Sequence, residues 1–142
     1  MRVPYLQDGA VTLTDSTSIL MHLCQKAGTP FISDVQEMEL YTMVNTAMDT
    51  TINLFLLERD GLTPKDSPYL RRQANRINAG LSALNEKPLS KKLPLSMAEI
   101  RLACYLDWAL FRKRIDITPH EQLIKLLKLA NSWSTFSETA PT

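Results

Sequence analysis

The sequence has little that would mark an exported, membrane-bound or metal-binding chain. Only two cysteines are present, Cys24 and Cys104, both set within apolar helical patterns. They read as small, inert core residues in a reducing compartment, since neither a disulfide framework nor a metal site is spaced this way. No charge of one sign dominates. Sixteen Lys and Arg face fifteen Asp and Glu, which gives no support to a broad surface for nucleic acid. No apolar run approaches the ~20 residues that span a bilayer. The opening Met1-Arg2-Val3-Pro4 lacks an apolar signal core. The two histidines, His22 and His120, have no Cys, His or carboxylate set at ligand spacing, so both read as structural or solvent-facing and no metal is expected. A cytoplasmic chain without membrane or nucleic-acid partners is the expectation.

What is present falls into two parts. Tyr5–Gln7 and Ala10–Thr14 read as short strands around an Asp8-Gly9 turn, a pair suited to positive φ. Asp15-Ser16-Thr17-Ser18 then opens a helix through Ile19, Leu20, Leu23 and Cys24, ended by Gly28 and Pro30. Two strands are too few for an independently stable sheet. From Ser33 onward the pattern is helical. The first helix runs to about Asp60, with Met38, Tyr41, Ala47, Met48, Ile52 and Phe55 on its apolar stripe and Gly61 at its end.

A second helix begins near Ser67-Pro68, with Pro in a favourable first-turn position. Its stripe is Leu70, Ala74, Ile77, Leu81 and Leu84, while Arg71, Arg72 and Arg76 form a solvated face, part of which is available to line a ligand cleft. Ser96-Met97-Ala98-Glu99 has the pattern of a capping box, flanked by Leu95 and Ile100 at staple positions. The run from Leu102 to Phe111, broken only by Asp107, predicts a helix with no wet face at the centre of a bundle. Thr118-Pro119-His120-Glu121 predicts a second capping box, followed by Leu123, Leu126, Leu127 and Ala130 and a tail with Trp133 and Phe136.

Val3-Pro4, the hairpin, Asp15-Ser16 and the following helix together resemble the second half of the thioredoxin-like domain of glutathione S-transferases. Ser96-Met97-Ala98-Glu99-Ile100 resembles that family's motif at the start of its buried central helix. The stretch from Ile100 through Trp108 to Arg112, and the ending Phe136-Ser137-Glu138-Thr139-Ala140-Pro141, are similar to one bacterial, cytosolic-type subgroup. The resemblance implies a mainly α chain with a partial thioredoxin-like, glutathione-binding domain over residues 1–31. An all-helical C-terminal domain over residues 32–142 follows it.

In the family the Val-Pro peptide is cis and holds the preceding backbone open to the cysteinyl part of glutathione. The acidic-Ser pair binds the γ-glutamyl end. The glutathione-binding residues implied here are therefore Val3, Pro4, Asp15 and Ser16. A helix N-terminus with a serine suits a carboxylate, and an adjacent Asp suits an ammonium. Glutathione would be a co-substrate, conjugated to a small hydrophobic electrophile or used to reduce a peroxide or disulfide, and two chains would pair as intact relatives do.

Family members carry the thiol-activating residue ahead of the Val-Pro, so no residue of this sequence is assigned catalysis and the chain itself is expected to be inactive. Tyr41 and Met48 serve either as core or as the border of the electrophile pocket. The alternative function is a non-catalytic helical interaction or scaffold module.

Overall fold

The computed structural model describes residues 4–141. The chain divides into two compact units, Met1–Ser33 and Asp34–Thr142. In the first, β1 (Leu6–Asp8) pairs antiparallel with β2 (Val11–Leu13), Leu6 opposite Leu13 and Asp8 opposite Val11. Gly9 and Ala10 make the two-residue loop, and Gly9 takes φ +60° while Ala10 does not go positive. Glycine first is the pattern of the hairpin turns whose twist matches the strands. Helix α1 (Ser16–Ala27) starts at Asp15, whose carboxylate accepts the Ser18 N–H at 2.9 Å. Among the described residues of this unit one hydrophobic residue, Cys24, is buried.

Charge fastens the hairpin to α1 instead. Asp8 Oδ2 pairs with His22 Nε2 at 2.7 Å and accepts from Lys26 Nζ at 2.6 Å. Spaced four apart, His22 and Lys26 share a helix face, so one carboxylate oxygen reaches both.

The second unit is all helix: α2 (Val35–Arg59), α3 (Pro68–Asn85), α4 (Met97–Phe111), α5 (Glu121–Asn131) and the short α6 (Ser134–Ser137). Helix α2 packs on α3 and α4, α5 packs on α4 and α3, and α6 folds onto α5. Leu102, Leu106, Ala98, Ala103 and Ala109 of α4 are entirely buried, as are Leu81 and Leu84 of α3 and Leu123 of α5. Each such leucine contributes about 1.5–3 kcal/mol by leaving water.

Three sequence expectations need correction. The buried stripe of α2 is Leu40, Tyr41, Val44, Ala47, Thr50 and Thr51, whereas Met38 is exposed and Met48, Ile52 and Phe55 are half-buried. Thr50 and Thr51 enter the core because their hydroxyls donate to the carbonyls of Thr46 (2.7 Å) and Ala47 (2.8 Å) one turn back. The Tyr105 hydroxyl reaches the Thr51 hydroxyl at 2.9 Å, which closes the network, and burial pushes the Tyr105 pKa up.

Helix α4 is central but does have a wet edge: Cys104 and Phe111, two turns apart, are exposed. Its flat apolar sequence hides that edge because the wet positions are themselves apolar. The third correction concerns α5. It begins at Glu121 behind His120, and Thr118 turns back to bond Asp116 through both its N–H (2.8 Å) and its hydroxyl (2.5 Å). No local capping box forms. Asn85, at the end of α3, supplies the cap from across the bundle: its Oδ1 accepts from Gln122 N at 2.9 Å and Leu123 N at 3.4 Å.

The Ser96–Glu99 capping box is present in full. The buried Glu99 carboxylate also accepts the Ser90 N–H at 2.6 Å and the Ser90 hydroxyl at 3.0 Å, so one side chain ends the preceding loop and starts the helix.

Candidate functional site

Asp15 and Ser16 meet at the N-terminus of α1. Asp15 holds extended backbone (φ −115°, ψ 134°), and its Oδ1 takes the Ser18 N–H at 2.9 Å and lies 3.4 Å from the Ser18 hydroxyl. That is an N-cap. Ser16 follows as the first helical residue and is half-buried. The twelve-residue helix presents the positive end of its dipole at this point. Pro4 is exposed and precedes β1; Val3, and with it the Val3–Pro4 peptide, lies outside the described residues.

Beside this end runs a groove of about 550 Å³, lined by Val11 and Leu13 of β2 and by Ser18, Met21, His22 and Cys24 of α1. At the far end of the hairpin the Lys26 ammonium, and then His22, hold the Asp8 carboxyl below the usual aspartate range. Sequence reasoning missed that cluster. Its members lie on two elements, Asp8 on β1 and His22 and Lys26 on α1, and only the Lys-His spacing of four was visible.

In the helical unit, Tyr41 is buried in the core, 1% exposed, and Met48 is half-buried. The Arg101 guanidinium stands 5.7 Å from the centre of the Tyr41 ring, and its Nε donates to Asn45 Oδ1 at 2.9 Å. Further along α4, Trp108 meets Phe55 edge-on, with ring centres 6.2 Å apart. Arg112 lies over Phe55 (6.0 Å) and Phe111 (5.1 Å), and Arg114 lies over Phe55 (5.2 Å) while pairing with Glu58. Aromatic rings and cations thus stack on one another along one side of the α2–α4 pair.

Cys104 belongs to the same stretch of α4, between Arg101 and Trp108. Contrary to the expectation of a buried thiol, it is exposed. Its pKa is nevertheless raised, by partial loss of water around the sulfur, against a smaller lowering from Arg101. A thiol so shifted is a poor nucleophile near neutrality. Arg71, Arg72 and Arg76 are exposed on α3, and His120 sits at the start of α5 without a side-chain capping bond. Among the described residues no three of His, Cys, Asp and Glu are placed to hold a metal ion, and no helix is long and apolar enough to cross a membrane.

No family model and no curated protein matches the sequence. Solved structures do match. The chain superposes on the crystal structure of a glutathione S-transferase from Actinobacillus pleuropneumoniae with a TM-score of 0.74 at 14% identity, over 96% of this chain and 66% of that one. The fold is therefore mainly α, a helical bundle preceded by a two-stranded hairpin and a helix, and it is similar to that of the solved glutathione S-transferase. The chain spans 66% of the length of the structure it matches.

Proposed function

We propose that this chain is a bacterial cytosolic-type glutathione S-transferase in which residues 1–31 carry part of the glutathione site and residues 32–142 carry the helical domain. The observation that supports the reading is the superposition over 96% of the chain, which takes in the helix that begins with Asp15 and Ser16. In this reading the Ser16 hydroxyl and the α1 N-terminus receive the γ-glutamyl carboxylate of glutathione, with the helix dipole adding its share. Asp15 sets its negative charge beside the ammonium. Val3 and Pro4 present backbone to the cysteinyl part.

The half-buried Met48, Phe55 and Trp108, with Arg112 beside them, border the space for a small hydrophobic electrophile. No residue from 4 to 141 is given the thiol-activating role. The raised thiol pKa of Cys104 argues against it as a substitute. The protein works in the cytoplasm, as a pair of identical chains that bind glutathione; conjugation of it belongs to an intact relative that supplies the thiol-activating residue.

Thermal melting with and without millimolar glutathione tests this. A ligand present at ten times its Kd and bound only by the folded state adds about 1.4 kcal/mol, a shift of several degrees at this size. Asp15→Asn keeps the helix cap and removes the charge, so the shift should vanish while the unliganded melt stays in place. An unchanged shift in that variant removes Asp15 from the site. No shift in the wild type removes glutathione binding from this chain.

A further inference from the structure

A cavity of about 240 Å³ lies where α2, α3 and the chain that leaves α4 come together. Thr51, Leu54, Phe55 and Glu58 reach it from one face of α2, at three- and four-residue steps, and Ala74, Ile77 and Asn78 from α3. Pro64, in the connection between those two helices, and Arg114, beyond the end of α4, complete it. Ala74 leaves the room. The α3 stripe otherwise carries Leu70, Ile77, Leu81 and Leu84, all buried, and one alanine among them leaves the volume of a larger side chain unfilled.

The cavity has a closed apolar end and a polar mouth. Thr51 and Ile77 are 1% and 6% exposed. The Thr51 hydroxyl is already engaged, donating to the Ala47 carbonyl at 2.8 Å and meeting the Tyr105 hydroxyl at 2.9 Å, so it has little to offer a guest. At the mouth Asn78 is exposed, and its side-chain amide has no partner among the described residues. Glu58 and Arg114 face each other there as an ion pair. The Arg114 guanidinium also donates to the Arg112 carbonyl at 2.8 Å and lies over the Phe55 ring. Two opposite charges are thus held side by side at the opening.

We propose that this cavity is a second ligand site, taking a small neutral aromatic molecule with one hydrogen-bonding head, of the phenol or aryl-amide class. Its volume exceeds the ~150 Å³ of a dry cavity lined by Leu, Ile and Phe that holds benzene, so one ring fits. Leu54, Phe55, Pro64 and Ile77 enclose the ring. The Asn78 amide, both donor and acceptor, takes the hydroxyl or amide head. The paired Glu58 and Arg114 set the charge of the guest. A carboxylate would gain Arg114 and be repelled by Glu58, an ammonium the reverse, and either must shed water to enter. A neutral head avoids both costs. The cavity shares Phe55 alone with the residues placed around the electrophile above, and the inference holds whether or not the chain binds glutathione.

The test is a titration of the full chain with phenol, followed in proton–nitrogen correlation spectra. Phenol in the millimolar range, the affinity of a one-ring ligand, should move the amides of Leu54, Phe55, Ala74 and Asn78 along saturable curves. Benzoate and benzylamine, which carry a charge of each sign on the same ring, should bind about tenfold more weakly or worse. Ala74→Leu fills the cavity at little cost in helix propensity and should abolish the saturable shifts. Asn78→Ala, at an exposed position, removes the partner of the head group and should weaken phenol by roughly fivefold, the worth of one net hydrogen bond.

Circular dichroism checks that each variant folds; should the crowded Ala74→Leu not fold, Asn78→Ala decides alone. A wild type without saturable shifts overturns the site. Shifts that persist in a folded Ala74→Leu, or an affinity untouched by Asn78→Ala, place phenol elsewhere and overturn it as well. Benzoate or benzylamine binding as tightly as phenol overturns the neutral ligand class.

Discussion

The two units solve the problem of holding together in different ways. Residues 4–33 bury one hydrophobic side chain, Cys24, and rely on an N-cap at Asp15, a glycine terminus at Gly28 and a carboxylate bridged to His22 and Lys26. The helical unit instead removes whole faces of four helices from water, with leucines and alanines at 0% exposure in α3, α4 and α5. Exposed bridges contribute little, a median near 0–1 kcal/mol each. Burial contributes about 1.5–3 kcal/mol per large side chain. Stability on this arithmetic resides in the helical unit, and the hairpin unit holds a shape more than it supplies free energy.

The largest effect that would test this contrast is Leu102→Ala. Leu102 is fully buried in α4, so the substitution should cost about 2–5 kcal/mol, measured as a lower urea midpoint. Hydrogen exchange followed residue by residue should show the loss in α2 to α5. An equal loss of protection in α1 would show that the two units unfold together and would break the comparison.

Asn85→Ala comes next. It leaves the first N–H groups of α5 without the acceptor that Asn85 now provides, and should cost about 1 kcal/mol, as loss of a helix cap does. Thr118→Ala should cost less, because Thr118 bonds only within its own turn. The opposite order would return the cap to the local sequence.

A third substitution should stabilise. Helices α1, α2 and α4 end in the same pair of backbone bonds, and the left-handed residue is Gly28, Gly61 and Lys113 respectively. Lys113 alone among non-glycines takes positive φ in the described chain, at 55°. Lys113→Gly relieves that strain and should gain roughly 0.5–1 kcal/mol, seen as a higher melting temperature.

The smallest effect is one of pH. The folded-state pKa of Asp8 is depressed, chiefly by Lys26. Its contribution is therefore fully present above the ordinary aspartate pKa and is lost as pH falls through the lower folded value. The carbonyl resonance of Asp8, followed by NMR, should titrate at lower pH than that of an unpaired aspartate. Lys26→Ala should return it toward the usual range, and titration unchanged by that substitution would leave the bridge without a role.

The local devices were legible in the residues. Asp15 before a helix, Gly9 in a two-residue loop, Gly28 and Gly61 after helix ends, and Ser96 with Glu99 each work within a few residues, through steric freedom or one short hydrogen bond. The apolar spacing of α3 placed Leu70, Ile77, Leu81 and Leu84 correctly in the core. The core of α2 was misread because threonine counts as polar in a sequence. A hydroxyl that bonds its own helix one turn back buries as readily as valine does in shape.

At the candidate site, the pairing of Asp15 with Ser16 was visible, being adjacent residues. The rings and cations that gather around Phe55 were not.

By itself, then, the sequence determined where helices start, where most of them stop, and that a hairpin precedes a helical bundle, because those choices are made by neighbours a turn apart. Only the tertiary structure decided that Asn85 caps α5, that Cys104 faces water, and that Thr51 meets Tyr105. Those outcomes join residues between 37 and 54 positions apart in the two bonded cases. For Cys104 the outcome depends on which side of a nearly uniform apolar helix its neighbours leave uncovered. No local spacing encodes either, since both are set by how the helices pack.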